Sequence, residues 1–457
     1  MNTNTYLFTG LFYLLFVSGT TKKDFITKRP NVLTIYTDDQ GSIDLNCYGA
    51  TDLQTPHIDH LAETGVKFTQ FYSSAPVCSP SRASLMTGKS PQAAGLPGNA
   101  SSRKGDPGMP TEQITIAEVF KSAGYQTAHI GKWHMGFTPE TMPNGQGFDH
   151  SFGHMGGCID NYSHFFYWKG PNRHDLWRNG KEIYKNGDFF GDLMVHEIKD
   201  WLKNINDKPF FMYWAINMPH YPYQGKEKWL NHYADLETPR QEYAAFVSTM
   251  DEMVGEIISY LEETGLRENT IIVFQSDQGH SEEERAFYGG GNPGLYRGEK
   301  FSLFEGGIRV PAIISWPGVI PEKKVSGEMA FNVDWLPTLA KFCEIETVPA
   351  GIIGKDISTV ILSDTSSPHQ QFVWKSGPEK FEQWAVRKGD WKLVHNPHTI
   401  RKEMDMWNTD LDTMFLVNLK EDVHEQLNLS AENAEKTAEL EAIYHRWLNE
   451  EYALTEY

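Results

Sequence analysis

The sequence predicts an α/β fold: a large, mostly parallel or mixed central sheet flanked by helices, followed by a small C-terminal antiparallel α+β subdomain. Three observations carry this reading. Near-continuous apolar runs alternate with helical stretches, glycine repeatedly closes the helices, and the pattern changes character after about Ser363. The 457 residues are 40% hydrophobic and 22% charged, which is the balance of a folded chain. No internal repeat is present, which excludes a solenoid.

The elements follow in chain order. Tyr6 to Val17 is almost wholly apolar and is followed by the small residues Ser18-Gly19-Thr20-Thr21. A membrane span needs about 18 or more such residues, so residues 1–21 read as an export signal and the product as periplasmic or secreted. No other stretch could span a bilayer. Asn31 to Thr37 (NVLTIYT) suits a strand covered on both faces. A helix from Pro56 to Thr64 ends at Gly65 and leads into a strand from Val66 to Tyr72. A second helix, Ile114 to Ala123, ends at Gly124 before the strand Gln126 to Ile130. Pro209 to Ile216 is a further strand. Phe246, Met250, Val254, Ile257, Ile258 and Leu261 then mark one face of a long helix that stops at Gly265. Strands Thr270 to Gln275 and Val310 to Trp316 complete the sheet.

These elements place an α/β domain at 25–365, with the polar stretch Ser363 to Pro368 as linker. A second unit follows at 366–457. It contains a hairpin, Trp384 to Val394, turning at Lys388-Gly389-Asp390, and a strand from Phe415 to Leu419. A last helix, N-capped by Ser430, carries Leu440, Ile443, Tyr444, Trp447 and Leu448 on one side.

The chain has 41 Lys+Arg against 60 Asp+Glu, a formal charge of −19. That argues against nucleic acid, which requires a basic face. It leaves anionic substrates open, because screening over about 8 Å lets a local basic pocket prevail. Cys47, Cys78, Cys158 and Cys343 have no CxxC spacing, so no thiolate zinc site is indicated. With Cys78 reserved for chemistry, at most one disulfide could form among the other three.

Two strands end alike: Asn31 to Thr37 runs into Asp38-Asp39-Gln40-Gly41, and Thr270 to Gln275 into Ser276-Asp277-Gln278-Gly279. Taken singly, each is ordinary turn composition. If the strands are neighbours, three carboxylates and an amide oxygen converge at the carboxyl edge, where open α/β sheets bind ligands. Such a cluster repels itself unless a hard cation, Ca²⁺ or Mg²⁺, neutralises it. The stretch Cys78-Ser79-Pro80-Ser81-Arg82 reads as a helix start, with Ser79 as N-cap and Pro80 as first helical residue. Cys78 then lies where anions are stabilised, with Arg82 on the first turn.

Cys78-Ser79-Pro80-Ser81-Arg82 matches the C-x-P-S-R signature of type I sulfatases, and Leu85-Met86-Thr87-Gly88 extends it. Gly131-Lys132-Trp133-His134-Met135-Gly136, Met218-Pro219-His220, Gly298-Glu299-Lys300 and Glu305-Gly306-Gly307-Ile308-Arg309-Val310-Pro311 follow in family order. The chain thus resembles the formylglycine-dependent sulfatases of the alkaline phosphatase superfamily over about Pro30 to Val319, and an alkaline phosphatase-like fold is implied. The resemblance implies that a maturation enzyme oxidises Cys78 to formylglycine, whose hydrate attacks sulfur and expels the alcohol. It also implies Asp38, Asp39, Asp277, Gln278 and the modified Cys78 as ligands of Ca²⁺, with Mg²⁺ second. Arg82, Lys132 and Lys300 would supply positive charge, with Lys132, Lys300 and His220 binding the sulfate. His134 would be the base that triggers sulfate release, and His220 the acid that protonates the leaving oxygen.

Many family members carry Asn where this chain has Gln278, so ligation there requires a small shift of the loop. His134, two residues past Lys132, would share its side of an extended segment. The aromatic- and Arg-rich stretch Gly153 to Gly180 reads either as a sugar-binding rim, with Arg173 or Arg178 meeting an anion, or as a partly buried loop. The expected substrate is therefore a sulfated carbohydrate. Two other readings stay open at this stage: a phosphomonoesterase or phosphodiesterase of the same superfamily, and a non-catalytic sulfated-glycan-binding protein.

Overall fold

The computed structural model describes residues 1, 29–168, 172–377, 380, 382–401, 406–407 and 412–452; the expected export signal, 1–21, lies outside the described residues apart from Met1. A ten-stranded mixed sheet forms the body. Its strands in chain order are β1 (Asn31–Thr37), β2 (Val66–Phe68), β3 (Gln126–Lys132), β4 (His150–His154), β5 (Trp177–Arg178), β6 (Lys181–Glu182), β7 (Phe210–Ala215), β8 (Thr270–Ser276), β9 (Ala312–Ser315) and β10 (Lys324–Ser326). Their spatial order is β10-β2-β9-β8-β1-β7-β3-β4-β5-β6. Strands β8, β1, β7 and β3 are parallel neighbours at its centre, while β9 runs antiparallel between β8 and β2.

Period-two alternation sorts β1 between two cores. Val32 and Tyr36 face one cluster with Phe120, Trp335 and Leu339, whereas Leu33 and Ile35 face another with Ile58, Met194, Phe246 and Met250. Burying each such side chain contributes about 1.5–3 kcal/mol. The covering helices are α1 (Pro56–Glu63), α2 (Cys78–Thr87), α3 (Ile116–Ser122), α4 (Phe190–Lys203), α5 (Arg240–Glu263) and α6 (Trp335–Phe342). Thr115 caps α3 in a reciprocal box with Glu118.

A second, four-stranded antiparallel sheet is formed by β11 (Gln371–Ser376), β12 (Gln383–Lys388), β13 (Trp391–His395) and β14 (Met414–Asn418). The last helix, α7 (Ala434–Tyr452), lays Leu440, Ile443 and Tyr444 on it, with Tyr444 stacked on Trp384 at 4.1 Å. It begins four residues beyond Ser430, which is therefore not its N-cap. The Ser430 hydroxyl instead donates to the Met414 carbonyl. Two expected strands are shorter than the sequence implied. Val66 to Tyr72 breaks after Phe68, and the segment from Val310 pairs only over Ala312–Ser315. All four cysteines are unpaired. No helix among the described residues is long and apolar enough to cross a membrane.

Candidate active site

The site is assembled by the four parallel central strands. β1 and β8 pair in register from Asn31↔Thr270 to Thr37↔Ser276, so Asp38-Asp39 and Asp277-Gln278 leave the sheet side by side. The two turns are stitched together by Asp277 N–H to the Thr37 carbonyl, 3.0 Å, and Asp39 N–H to Asp277 Oδ1, 3.1 Å. On the far side of β1, β7 leads to His220 and β3 ends at Lys132. All these residues reach one edge because parallel strands share a direction.

Helix α2 brings Cys78 to that edge. Its N-cap is Val77 and Cys78 is its first residue, so the helix starts two residues earlier than the expected Ser79 cap and Pro80 start. Ser79 has another task. Its hydroxyl donates to the His134 carbonyl and accepts the Ala100 N–H, tying the helix start to two loops. Cys78 Sγ lies 3.6 Å from Asp38 Oδ1 and 3.7 Å from Gln278 Nε2. Ligand atoms, one each from Asp38, Asp39 and Cys78, lie within 4.8 Å of one another, all three residues being buried.

Three cations balance the three carboxylates. Lys132 Nζ sits 2.7 Å from Asp38 Oδ2, Lys300 Nζ sits 2.8 Å from Asp39 Oδ2, and the Arg82 guanidinium holds Asp277. Arg82 and Lys132 stand behind the carboxylates and do not line the open cavity, whereas Lys300 does. Burial pushes Asp38 upward, but Lys132, His220, Arg82 and Lys300 together hold it well below the usual carboxylate range. Burial also raises Asp39 to about 6, despite Lys300, and raises Asp277 to about 8 with help from the Asp38 charge. Burial pushes the Cys78 thiol up to about 12 against the pull of Lys132 and Lys300, so the unmodified side chain stays a thiol near neutral pH.

The residues fit a hard cation. The carboxylates supply oxygen donors, and Gln278 Oε1 is buried with no hydrogen-bond partner among the described residues, an acceptor that costs about 1–3 kcal/mol until something satisfies it. The Gln278 amide nitrogen meanwhile bonds Asp39 Oδ1.

The two histidines differ in setting. His134 Nε2 lies 3.2 Å from the Ala100 carbonyl, which makes it the N–H nitrogen and leaves Nδ1 with its lone pair and no partner among the described residues. Burial first, then Lys132 and Arg82, hold its pKa well below the usual value. His134 is not reached by strand alternation. β3 ends at Lys132, and His134 takes a left-handed backbone, φ 55°, as Asp39 does at 59°. His220 Nδ1 bonds the Tyr221 carbonyl at 2.6 Å, leaving Nε2 3.6 Å from Asp39 Oδ2. Burial and Lys300 lower its pKa to about 3.

Above these groups opens a cavity of about 570 Å³ with Cys78, His134, His220 and Lys300 at its floor and Phe166, Trp168 and Arg173 on its wall. Arg178, the other arginine of that stretch, lies outside it and is paired with Glu197. The wall also includes Arg103, Tyr221, Glu283 and Arg285, which carry no sequence pattern of their own. Glu283 accepts from the Tyr221 hydroxyl and from Arg285 and stands 3.9 Å from Lys300, joining the His220 loop to the Lys300 loop.

Comparison with known proteins settles the family. Residues 30–345 match the sulfatase family, well over half of the chain. The chain belongs to the sulfatase family. As a member it is a sulfuric ester hydrolase with an alkaline phosphatase-like fold. Residues 291–451 also match the C-terminal region of N-sulphoglucosamine sulphohydrolase. Arylsulfatase A of Homo sapiens is 31% identical over 392 residues, covering 80% of this chain and 75% of the relative. N-acetylgalactosamine-6-sulfatase of Canis lupus familiaris is 34% identical over 326 residues, or 68% of this sulfatase and 61% of the relative. Among solved structures, Ps i-CgsB in complex with k-i-k-neocarrahexaose superposes with a TM-score of 0.81 at 28% identity, covering 92% of this sulfatase and 93% of that chain.

Proposed function

We propose that this sulfatase removes sulfate from a sulfated carbohydrate, using a formylglycine made from Cys78 and Ca²⁺ held by Asp38, Asp39, Asp277 and Gln278, with the modified residue 78 as a further ligand. The observation that carries the reading is the meeting of both aspartate turns at Cys78, through Asp38 from one and Gln278 from the other, at the floor of a cavity with an aromatic wall. The relative named N-acetylgalactosamine-6-sulfatase, and the saccharide named as bound to Ps i-CgsB, support the substrate class.

The unmodified thiol, held protonated by burial, is a poor nucleophile, so conversion of Cys78 would supply the reactive oxygen that the site otherwise lacks. The cation, when bound, would add two positive charges to an otherwise balanced cluster and polarise the sulfate oxygens. Lys300 at the cavity floor would hold the anionic ester, while Lys132 holds Asp38 ionised and Arg82 fixes Asp277 in place. His134 Nδ1, the free lone-pair nitrogen of its ring, would take the proton whose removal releases sulfate. His220 would donate to the leaving oxygen. A bound sulfate ester brings the negative charge that favours its protonated form, which burial beside Lys300 disfavours. Burial of Cys78, His134 and His220 excludes bulk water from the reacting atoms.

The test pairs mass spectrometry of the Cys78 peptide, on protein made with a maturation system, with a desulfation screen on sulfated saccharides. Loss of sulfur in favour of an aldehyde, and turnover that Cys78→Ala abolishes, are expected. Full activity in Cys78→Ala would overturn the mechanism, and activity confined to simple aryl sulfates would overturn the substrate class.

A further inference from the structure

Four basic side chains, Arg103, Arg173, Arg285 and Lys300, line the cavity against the two carboxylates of Asp106 and Glu283, in a protein whose formal charge is −19. Two of the four are already matched: Lys300 to Asp39, and Arg285 to Glu283. Neither Arg103 nor Arg173 has a carboxylate within ion-pair distance among the described residues, although Arg173 acts at longer range on the buried Asp175. Arg103 is exposed. Arg173 is half-buried and held in place. Its Nη2 and Nε donate to the Ser102 carbonyl at 2.8 and 3.2 Å, and its guanidinium lies 4.2 Å over the Phe166 ring.

The loop that holds these charges is anchored to the reacting groups. Asn99 Oδ1 accepts the Ser79 N–H at 3.1 Å, the Ala100 carbonyl faces His134 Nε2, and Ser102 Oγ accepts the Gly157 N–H at 2.9 Å. Arg103 follows directly. The Arg103 backbone and the Arg173 side chain are therefore fixed relative to Cys78 and His134, not carried on an independent flap. An arginine held on a backbone carbonyl and a ring face, without a carboxylate, keeps donors for a planar or tetrahedral anion.

From this we infer that Arg103 and Arg173 form a second anion subsite, which selects saccharides bearing another sulfate or carboxylate beyond the ester being cleaved. The inference rests on the sulfated-carbohydrate reading and narrows it to a polyanionic substrate. A neutral or singly charged neighbouring sugar would leave both arginines unanswered at the cavity wall.

Calorimetry on the full chain in a Cys78→Ala background, where no ester turns over, tests this with monosulfated and disulfated forms of one disaccharide. The disulfated form should bind at least about tenfold tighter. That advantage should shrink when salt rises from about 50 to about 300 mM, as the screening length shortens. Arg103→Met and Arg173→Met should each remove most of the advantage while lowering affinity for the monosulfated form far less. Arg178→Met, outside the cavity, should preserve it. Equal affinity for the two saccharides, or an advantage retained in both cavity variants, overturns the subsite and leaves the sulfatase reading standing. Binding of neither saccharide, together with no turnover by the matured enzyme, overturns both.

Discussion

Arg82 grips a single oxygen of Asp277, Oδ2, with two donors: Nη2 at 2.8 Å and Nε at 3.1 Å. Its third nitrogen donates to the Tyr213 hydroxyl, and every partner is fully buried. The signature arginine thus acts on the carboxylate that would hold the cation. Arg82→Met should leave Asp277 buried without its counter-charge and destabilise the protein by about 3–5 kcal/mol. Arg82→Lys should recover part of this, since a point charge cannot fork onto the carboxylate. Thermal and denaturant unfolding of the purified variants check both.

Cation binding should strengthen as pH rises. Asp39 at about 6 and Asp277 at about 8 carry protons in the cation-free site over part of the neutral range, and a cation must displace them. Affinity should fall as pH drops from about 8 towards 6, with protons released on binding. Titration calorimetry in buffers of different ionisation enthalpy counts them. The stability sign follows from the same shifts. Both carboxyls sit above their unfolded values, so the cation-free protein should lose stability as pH rises through 6 to 8. Added Ca²⁺ should reverse that trend.

Lys392 of β13 lies 2.9 Å from both Glu305 and Glu425, all three fully buried where the small sheet meets the large domain. Burial raises Glu425 to about 7, with Glu305 adding to it and Lys392 opposing. Glu305, by contrast, is held at about 2: burial works against it, but Lys392 outweighs that with Arg309 and Arg387. Glu305 therefore contributes stability above its unfolded pKa that is lost as pH falls towards 2. Glu425 contributes stability below its unfolded pKa that is lost as pH climbs through 7. Lys392→Met should cost about 3–5 kcal/mol and lower the unfolding midpoint without altering any group that touches substrate.

A Cβ on Gly157 would come within 2.8 Å of His134 Cε1. Gly157→Ala should displace that ring and lower kcat by about tenfold to a hundredfold, the usual consequence of moving a reacting group by a fraction of an ångström to an ångström. KM and the unfolding midpoint should change little. Steady-state kinetics with a circular-dichroism melt separate this from general damage.

β1 and β8 were legible because they are long, apolar and β-branched, β7 because it is an unbroken apolar run, and the paired Asp turns because near-identical chemistry follows β1 and β8. The antiparallel β9 was not: Ala312–Ser315 has the composition of its parallel neighbours, and direction is set by partners distant in sequence. Strands β4 to β6 carry His, Ser, Gly, Lys and Glu, so no alternation marks them. Helix α4 did leave a signal, Phe190, Met194, Ile198 and Leu202 at helical spacing, which the aromatic stretch before it obscures. The residues that meet around Cys78 were readable from motif position. Arg103, Tyr221, Glu283 and Arg285 were not, because loops converge through tertiary contacts that no local period records.

Gly279, next to Gln278, donates its N–H to the Gly307 carbonyl at 3.0 Å, and a methyl group there would collide with Gly306. Gly306 and Gly307 in turn follow Glu305, which Lys392 clasps from the other sheet. The tail of the molecule thereby braces the head from behind, like a keystone that never shows on the inner face of the arch. Versions trimmed before Gln371 should be feeble desulfating agents even though every atom near sulfur is retained, and engineers seeking a minimal catalyst would do better to shorten its outer loops.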